Sequence, residues 1–527
     1  MLPNLSDART EPAAPQSPRI EAALSTARLA QATWSAVPVR RRLAVLRRFR
    51  HLLAERAEEL ARCVPRPAAE TLSSQILPLA DHVLFLERQA PRALRTKRLG
   101  RAGRPVWLLG TFTEIQRVPA GVVLILAPSN YPIFIPGTQL IQALAAGNAV
   151  VLKPSPQGRR AALALIRLLN EAGLDPDLAC VLPSDNVTAD AAVRAGPDRI
   201  LLTGSSDTGR AVLAAAAEQL IPCTPELSGS DPVFIRADAD LDRAARALCF
   251  GLSLNDGATC IAPRRVFVDR TVAARFERIL ASHLKAMAPI PIPVARAERL
   301  RPLVTQALQL GAVALGSTPI DWTRPTGPIV LASATPSMAL LQADLFAPVA
   351  ALVHAMDDAD ALDAAAESPF ALGASVFSAD ESAARKFAER IRAGVVTIND
   401  LILPTADPRI PFGGRGASGY GVTRGIEGLL ELTHAKVVAV RRGKWLPHLG
   451  PAAPEDADFF ASALRAAHAQ SGWRRFLSAL ETARLGWRRS PTRPTDAFNE
   501  TIVRESLMAP AIRVVPSGSQ APPGSAD

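Results

Sequence analysis

The sequence predicts an α/β protein with three parts: a doubly wound parallel-sheet domain, a second α/β domain and a small β arm. Three observations carry this. Short apolar runs without charge alternate with amphipathic stretches between Gly121 and Gln219. A second series of the same rhythm begins at Pro232 and ends at Ile398. The chain has 527 residues, 48% hydrophobic and 21% charged, which is too much apolar material for one ordinary core.

Taken in order, residues 1–18 are polar and Pro-rich and are expected to lack structure. Leu43, Leu46, Phe49, Leu52, Leu53 and Leu60 recur at helical spacing within 19–66, and a second helical stretch covers about 69–94. Residues 105–118 alternate enough for a β-hairpin or an arm. Gly121–Leu126, Ala149–Leu152, Ala179–Leu182 and Arg199–Leu202 read as strands, with helices at Pro136–Ala146, Gln157–Ala172, Ala189–Ala195 and Gly209–Gln219. The second series has strands at Val233–Ile235, Arg265–Val268, Ala350–Val353, Ala374–Phe377 and Val395–Ile398. Its helices fall at Leu241–Phe250, Val272–Ala286, Ala359–Glu367 and Ser382–Ile391. Pro411–Gly421 is a Gly-rich loop and Lys436–Arg441 an exposed strand. Beyond 444 come a helical pair, near Phe459–Ala467 and Trp473–Leu485, and a Pro/Ser-rich tail.

The bulk numbers exclude several classes. Five cysteines, Cys63, Cys180, Cys223, Cys249 and Cys260, are widely spaced and form no CxxC pair. Neither a disulfide framework nor a zinc site fits, no metal is proposed, and a reducing compartment, the cytoplasm, is expected. Net charge is +11, with Arg and Pro concentrated in the first hundred and last ninety residues. A solvated Arg-rich surface accounts for this, and no nucleic acid partner is expected. Gly121–Leu152 carries no charge and is long enough to span a bilayer. Pro128, Pro132, Pro136, Gly137 and Gly147 interrupt it, so it reads as strand, helix and strand, with no transmembrane segment.

Candidate functional residues cluster at strand ends, where a doubly wound sheet exposes its ligand loops. Asn130, after the first strand, carries a neutral donor suited to an oxyanion. Lys153 and Ser155 follow the next strand, where an ammonium can meet ribose hydroxyls or phosphate. Thr203-Gly-Ser-Ser-Asp-Thr-Gly209 joins a strand to a helix, so Gly204, Ser205 and Gly209 suit a pyrophosphate. Glu226 follows an uncharged run and could act as a general base. Cys260 stands among small residues in Leu254-Asn-Asp-Gly-Ala-Thr-Cys-Ile-Ala-Pro263, with no cation within three residues. A reactive thiol there needs activation by groups that the fold supplies.

The order of these pieces, with Phe346-Ala-Pro348 and Pro411-Phe-Gly-Gly414, resembles the aldehyde dehydrogenase superfamily from about residue 20 to 443. The resemblance implies a dinucleotide-binding domain at 19–103 and 119–227, a catalytic domain at 228–430, and an oligomerisation arm and strand at 104–118 and 431–443. It implies NAD or NADP as cofactor, an aldehyde substrate and a homodimer or homotetramer. Cys260 would attack the aldehyde, Asn130 and the Cys260 N–H would hold the oxyanion, and Glu226 would activate water. Lys153 would hold the adenosine ribose, Gly204 and Ser205 the pyrophosphate region, and Asp344 and Phe346 the nicotinamide ribose.

The chain departs from the family's pattern. Ser228 and Ser230 replace a Gly and a Lys beside the base, and Ser129 stands where Trp is frequent. Ala258 replaces a common Gln, and Asp344 is one methylene shorter than the usual Glu. Pro156, with Arg159 and Arg160 nearby, stands where a Glu favours NAD, so NADP is expected to be tolerated or preferred. Ser129 and Ile261 hint at an apolar aldehyde. The rival readings are an acylating enzyme that uses a thiol such as CoA, and a low-activity member acting as a scaffold.

Overall fold

The computed structural model describes residues 16–105, 108, 110–316, 320–324, 327–442, 449, 454 and 456–488. Residues 1–15 of the expected unstructured lead, Trp107 of the expected arm, and the tail after 488 lie outside the described residues. Two compact units divide the chain at Arg98/Leu99, Thr113/Glu114 and Val438/Ala439.

In the larger unit the N-terminal helical stretch is three helices, Gln16–Ala36, Val39–Glu55 and Ala57–Ala61, and it begins inside the supposed lead. Pro38 separates the first two, since proline disfavours helix for the residue before it. The second stretch is also broken. Ala68–Thr71 passes into a π turn at Leu72–Ile76 before Leu77–Ala93. The hydroxyls of Ser73 and Ser74 donate to the carbonyls of Ala69 and Glu70, and Gln75 Oε1 accepts from the Ile133 N–H at 3.0 Å. Such turns re-aim a helix, and here both serines line a cavity described below.

Of the stretch 105–118, expected as a β-hairpin or an arm, the described residues 111–118 lie in one strand. β1 (Lys97–Arg98) pairs antiparallel with β2 (Thr111–Pro119), Lys97 opposite Ile115. With β17 (Thr433–Arg441) they form a three-stranded sheet.

Five parallel strands follow: β3 (Val122–Leu126), β4 (Ala149–Lys153), β5 (Ala179–Val181), β6 (Arg199–Thr203) and β7 (Cys223–Glu226). Their order is β5-β4-β3-β6-β7. All residues of β3, β4 and β6 are buried, because helices cover both faces of the sheet. The helix Arg159–Glu171 does this with Ala161, Ala162, Leu165, Ile166, Leu168 and Leu169 inward. The uncharged run at 121–152 is thus strand, helix (Phe134–Ala146) and strand. The strand order reverses between β3 and β6, where such sheets open a ligand crevice.

The second sheet contains β8 (Asp231–Ile235), β9 (Pro263–Asp269), β10 (Val313–Leu315), β11 (Ile329–Ala332) and β12 (Val349–Ala355). β13 (Phe370–Ala371) leaves it to pair with β16 (Arg415–Gly416), while β14 (Gly373–Phe377) and β15 (Val395–Ile398) complete it. The order is β10-β11-β12-β9-β8-β14-β15, parallel except for β10 against β11. Phe234 stacks on Phe267 at 5.4 Å and meets the edge of Phe387 at 5.0 Å, which fixes one face of the sheet. No described helix is long and apolar enough to cross a membrane.

In the smaller unit the Arg442 N–H donates to the Gly110 carbonyl at 2.9 Å. Helices Asp456–His468 and Gly472–Arg488 form an antiparallel pair joined by Ser462 to Thr482 at 2.9 Å and Arg465 to Glu481 at 3.3 Å.

Candidate active site

The residues at the carboxyl ends of β3, β6 and β7 meet the segments that precede β9 and β12. Two cavities result. One, of about 290 Å³, is bounded by Asn130, Gly204, Ser205, Ser228, Asp344 and Phe346. The other, of about 230 Å³, is largely apolar, with Phe134, Ile135, Phe250, Leu254, Leu403 and Phe412 in its wall. Cys260 and Glu226 line both.

The cysteine is presented by a strained loop. Asn255 and Asp256 have φ of 56° and 53°, and Gly257 has φ of 69°. Asn and Asp tolerate this region; Gly257 is required besides, because a Cβ there would lie 2.4 Å from the Pro348 nitrogen. The loop is held from several sides. Asn255 donates its amide to the carbonyls of Asn130 and Ala258, each at 3.0 Å, and its N–H to Glu70 Oε1. Arg66 pairs with Asp256 at 3.0 Å. The buried guanidinium of Arg264 donates to the carbonyls of Gly257, Thr259 and Ala347. The Tyr131 hydroxyl meets Thr259 Oγ1 at 2.7 Å. Opposite, a Cβ at Gly229 would lie 2.4 Å from the Cys260 carbonyl oxygen, so the segment after Glu226 touches the loop directly.

Asn130 Nδ2 donates to the Ala258 carbonyl at 3.0 Å. An amide carries two N–H groups, so one remains for an anion in the cavity that Cys260 also lines. Burial pushes the Cys260 thiol far above its ordinary value, and Glu226 and Asp231 add to this, whereas Arg424 and the Ile261 N–H oppose it. Burial likewise raises Glu226, against Arg424 and a hydrogen bond from Thr423 Oγ1 to Oε2 at 2.9 Å. A carboxyl of raised pKa is a stronger base once ionised. Thiol, amide and carboxyl therefore face common space, with the chemistry needed for acyl transfer through sulfur.

The pattern of the aldehyde dehydrogenase family matches residues 6–438. This chain belongs to that family. It oxidises aldehydes to carboxylic acids with NAD(P)+. Over 450 residues it is 30% identical to a 4,4'-diapolycopene aldehyde oxidase of Methylomonas, covering 81% of this chain and 84% of that one. An NADP-dependent glyceraldehyde-3-phosphate dehydrogenase of Bacillus halodurans, solved with NADP, is 27% identical with a TM-score of 0.75, over 81% of this chain and 91% of that one. An NAD-dependent aldehyde dehydrogenase of Sinorhizobium meliloti is 28% identical with a TM-score of 0.76, over 82% and 89%.

The first cavity carries groups of the kind that meet a ribose and a phosphate. Asp344 Oδ1 is buried without a partner among the described residues, an acceptor ready for a ribose hydroxyl. Its other oxygen accepts from the Ser228 hydroxyl. Two departures from the family pattern are therefore in contact: the added hydroxyl of Ser228 orients the shortened carboxylate of Asp344. Ser205 caps the helix Ser206–Ala217 by accepting from the Thr208 N–H at 3.2 Å, and with Gly204 it lines the cavity. Phe346 also lines it, with the Arg296 guanidinium 5.3 Å from its ring centre. Lys153, Ser155 and Gly209 are not in that wall. Lys153 and Ser155 are buried at the end of β4, Ser155 Oγ accepting from the Gly158 N–H at 3.2 Å. Gly209 is where the helix after β6 packs against Leu227, since a Cβ would lie 2.6 Å from that side chain.

Sequence reading missed β7, the strand that ends in Glu226, as well as Thr423, Arg424, Arg264, Arg296 and the contact of Ser228 with Asp344. Thr423 and Arg424 closely follow the Gly-rich loop 411–421, and that adjacency was the available signal.

Proposed function

We propose that Cys260 is the nucleophile, Asn130 and the Cys260 N–H the oxyanion donors, and Glu226 the base that releases the acid. The carrying observation is that Cys260 and Glu226 line both cavities, so thiol and carboxyl reach one reacting carbon. In this reading the 228–430 segment is the catalytic domain, 19–103 with 119–227 the cofactor domain, and 104–118 with 431–443 the oligomerisation arm and strand. The apolar wall of the second cavity takes the aldehyde, and its Phe134, Phe250 and Phe412 favour an apolar one.

Cys260 Sγ adds to the carbonyl carbon, and the oxygen gains the negative charge beside the free N–H of Asn130. Asp344, Phe346, Gly204 and Ser205 would hold NAD(P)+, with Lys153, Ser155 and Gly209 supporting its adenosine end, and the bound cofactor would supply the acceptor for the hydride that leaves the adduct carbon. The acyl group stays on Cys260 as a thioester. Glu226 takes a proton from water, the hydroxide adds to the thioester carbon, and the acid leaves as the C–S bond breaks. Five free cysteines support a cytoplasmic protein. Packing through the arm and β17 would give a homodimer or homotetramer.

The test is rapid mixing with Glu226→Gln and Cys260→Ala. Glu226→Gln should give one equivalent of NAD(P)H and a stalled acyl adduct on the Cys260 peptide; Cys260→Ala should give neither. NAD(P)H formation that requires CoA in wild type, or that survives in Cys260→Ala, would overturn the reading.

A further inference from the structure

The second cavity holds a cation to which no role has been given. Arg424 is 7% exposed and lines the cavity beside Cys260 and Glu226. Its backbone sits at φ 60°, a conformation that side chains other than Gly adopt only where surroundings enforce it. The surroundings are specific. Its N–H donates to Gln142 Oε1 at 3.3 Å, and its Nη1 donates to the Thr405 carbonyl at 2.6 Å. The guanidinium carbon lies 4.2 Å from the Phe412 ring centre and 5.6 Å from that of Phe134. Among the described residues no carboxylate forms an ion pair with it. A buried cation without a counter-ion is costly, so its place in the fold implies an anion in the same cavity.

The other charged groups around Cys260 are engaged or neutral. Arg264 spends its donors on the three carbonyls that hold the loop. Asp231 accepts from the Gly373 N–H and is flanked by Arg264 and Arg265. Asp344 is held by Ser228, on the side of Arg296. The Tyr131 phenol is neutral and bonded to Thr259. His82 is buried and neutral, its value pulled down to about 3 by burial and by Arg424 itself. Glu226 and Cys260 are left.

We propose that Arg424 activates Cys260: its positive charge in the second cavity stabilises the thiolate, and after acylation it stabilises the Glu226 carboxylate. It acts through its field rather than by contact, and is a positioning residue in that sense. In the first half-reaction the S–H bond breaks, the proton goes to solvent, and the charge on sulfur is opposed by the guanidinium. When the S–C bond forms, that charge passes to the oxygen at Asn130. Sulfur is then neutral, and among the described residues Glu226 is the anion left facing Arg424. One cation thus serves both halves of the cycle.

The inference rests on Cys260 being the nucleophile. Its test is the rate of Cys260 alkylation by iodoacetamide against pH, read on the peptide mass, in full-length wild type, Arg424→Met and Arg424→Lys. Arg424→Met should slow Cys260 about tenfold at neutral pH and move its profile to higher pH, with Arg424→Lys close to wild type. Cys63, Cys180, Cys223 and Cys249 in the same digest should be unchanged, which reports an intact fold. If Arg424→Met does not fold, Arg424→Gln keeps a donor for Thr405 without the charge and is read in the same way. An unchanged iodoacetamide profile overturns the inference. So does a loss confined to negatively charged iodoacetate, which would make Arg424 an anchor for an anionic substrate. Wild-type Cys260 that reacts no faster than Cys249, together with NAD(P)H formation by Cys260→Ala, would sink the nucleophile assignment itself.

Discussion

Replacing Thr423 by Val removes one hydroxyl and keeps the shape of the side chain. Thr423 Oγ1 lies 2.9 Å from Glu226 Oε2 and 3.2 Å from the Phe412 carbonyl, and the one hydroxyl proton must choose between them. When Glu226 is ionised the proton turns to the carboxylate. When Glu226 is protonated its own O–H can donate to Oγ1, and the hydroxyl proton turns to Phe412. The bond to the charged form is the stronger one, so the hydroxyl favours the carboxylate. Both residues are buried, and the Val methyl fills the place of the hydroxyl, so no room opens for a water at the lost bond. A hydrogen bond to a charged group contributes about 1.5–3 kcal/mol. At about 1.4 kcal/mol per tenfold, Thr423→Val should slow the hydrolytic step at least about tenfold near the acid limb of the profile.

The sign follows from burial. Glu226 already lies above the ordinary carboxylate range, so its base function is lost on the acid side. Removing Thr423 raises it further, and the limb of kcat moves to higher pH. The burst of NAD(P)H should persist, because acylation does not use Glu226, while the steady rate falls and approaches wild type at high pH. A uniform loss at every pH, or a lost burst, would refute the reasoning.

Two further outcomes are expected. Asp344→Glu alone should raise the cofactor KM about tenfold, because Ser228 occupies the space of the added methylene. Ser228→Gly/Asp344→Glu should recover most of it, with a coupling of about 1 kcal/mol or more in a double-mutant cycle; additive effects would show that the contact is incidental. Wild type should use NADP at least as efficiently as NAD in side-by-side kcat/KM, and Pro156→Glu should shift the ratio towards NAD by about tenfold through repulsion of the 2′-phosphate; a large wild-type preference for NAD would sink this.

Much of the fold was legible because it rests on local pattern. The charge-free runs became β3 and β4, which are buried on both faces, and the helix Arg159–Glu171 appeared where its apolar spacing put it. What escaped depends on distant partners. β7 is four residues with a proline, too short and too irregular to read as a strand, yet its parallel pairing with β6 sets Thr203 opposite Glu226. The π turn at Leu72–Ile76 has no sequence period of its own. Cys260, Asn130 and Glu226 were expected from motif order, and all three lie in the wall of the first cavity. Thr423 acts on Glu226 from 197 residues away, a relation no spacing rule contains.

The departures from the family pattern also change meaning once their contacts are known. As letters, Ser228, Ser230 and Asp344 are three losses, and together they motivate the idea of a catalytically weak scaffold; the contact bears on Ser228 and Asp344. As neighbours they form one donor–acceptor pair, with a carboxylate oxygen still free for a hydroxyl. A chain losing catalysis has no reason to keep a lengthened partner opposite a shortened one. Nor has it reason to keep a buried guanidinium without an ion pair, since relaxing Arg424 to an apolar residue would remove a desolvation cost. The altered surroundings of Cys260 are therefore better explained by a site tuned differently from the family's usual arrangement than by one in decay.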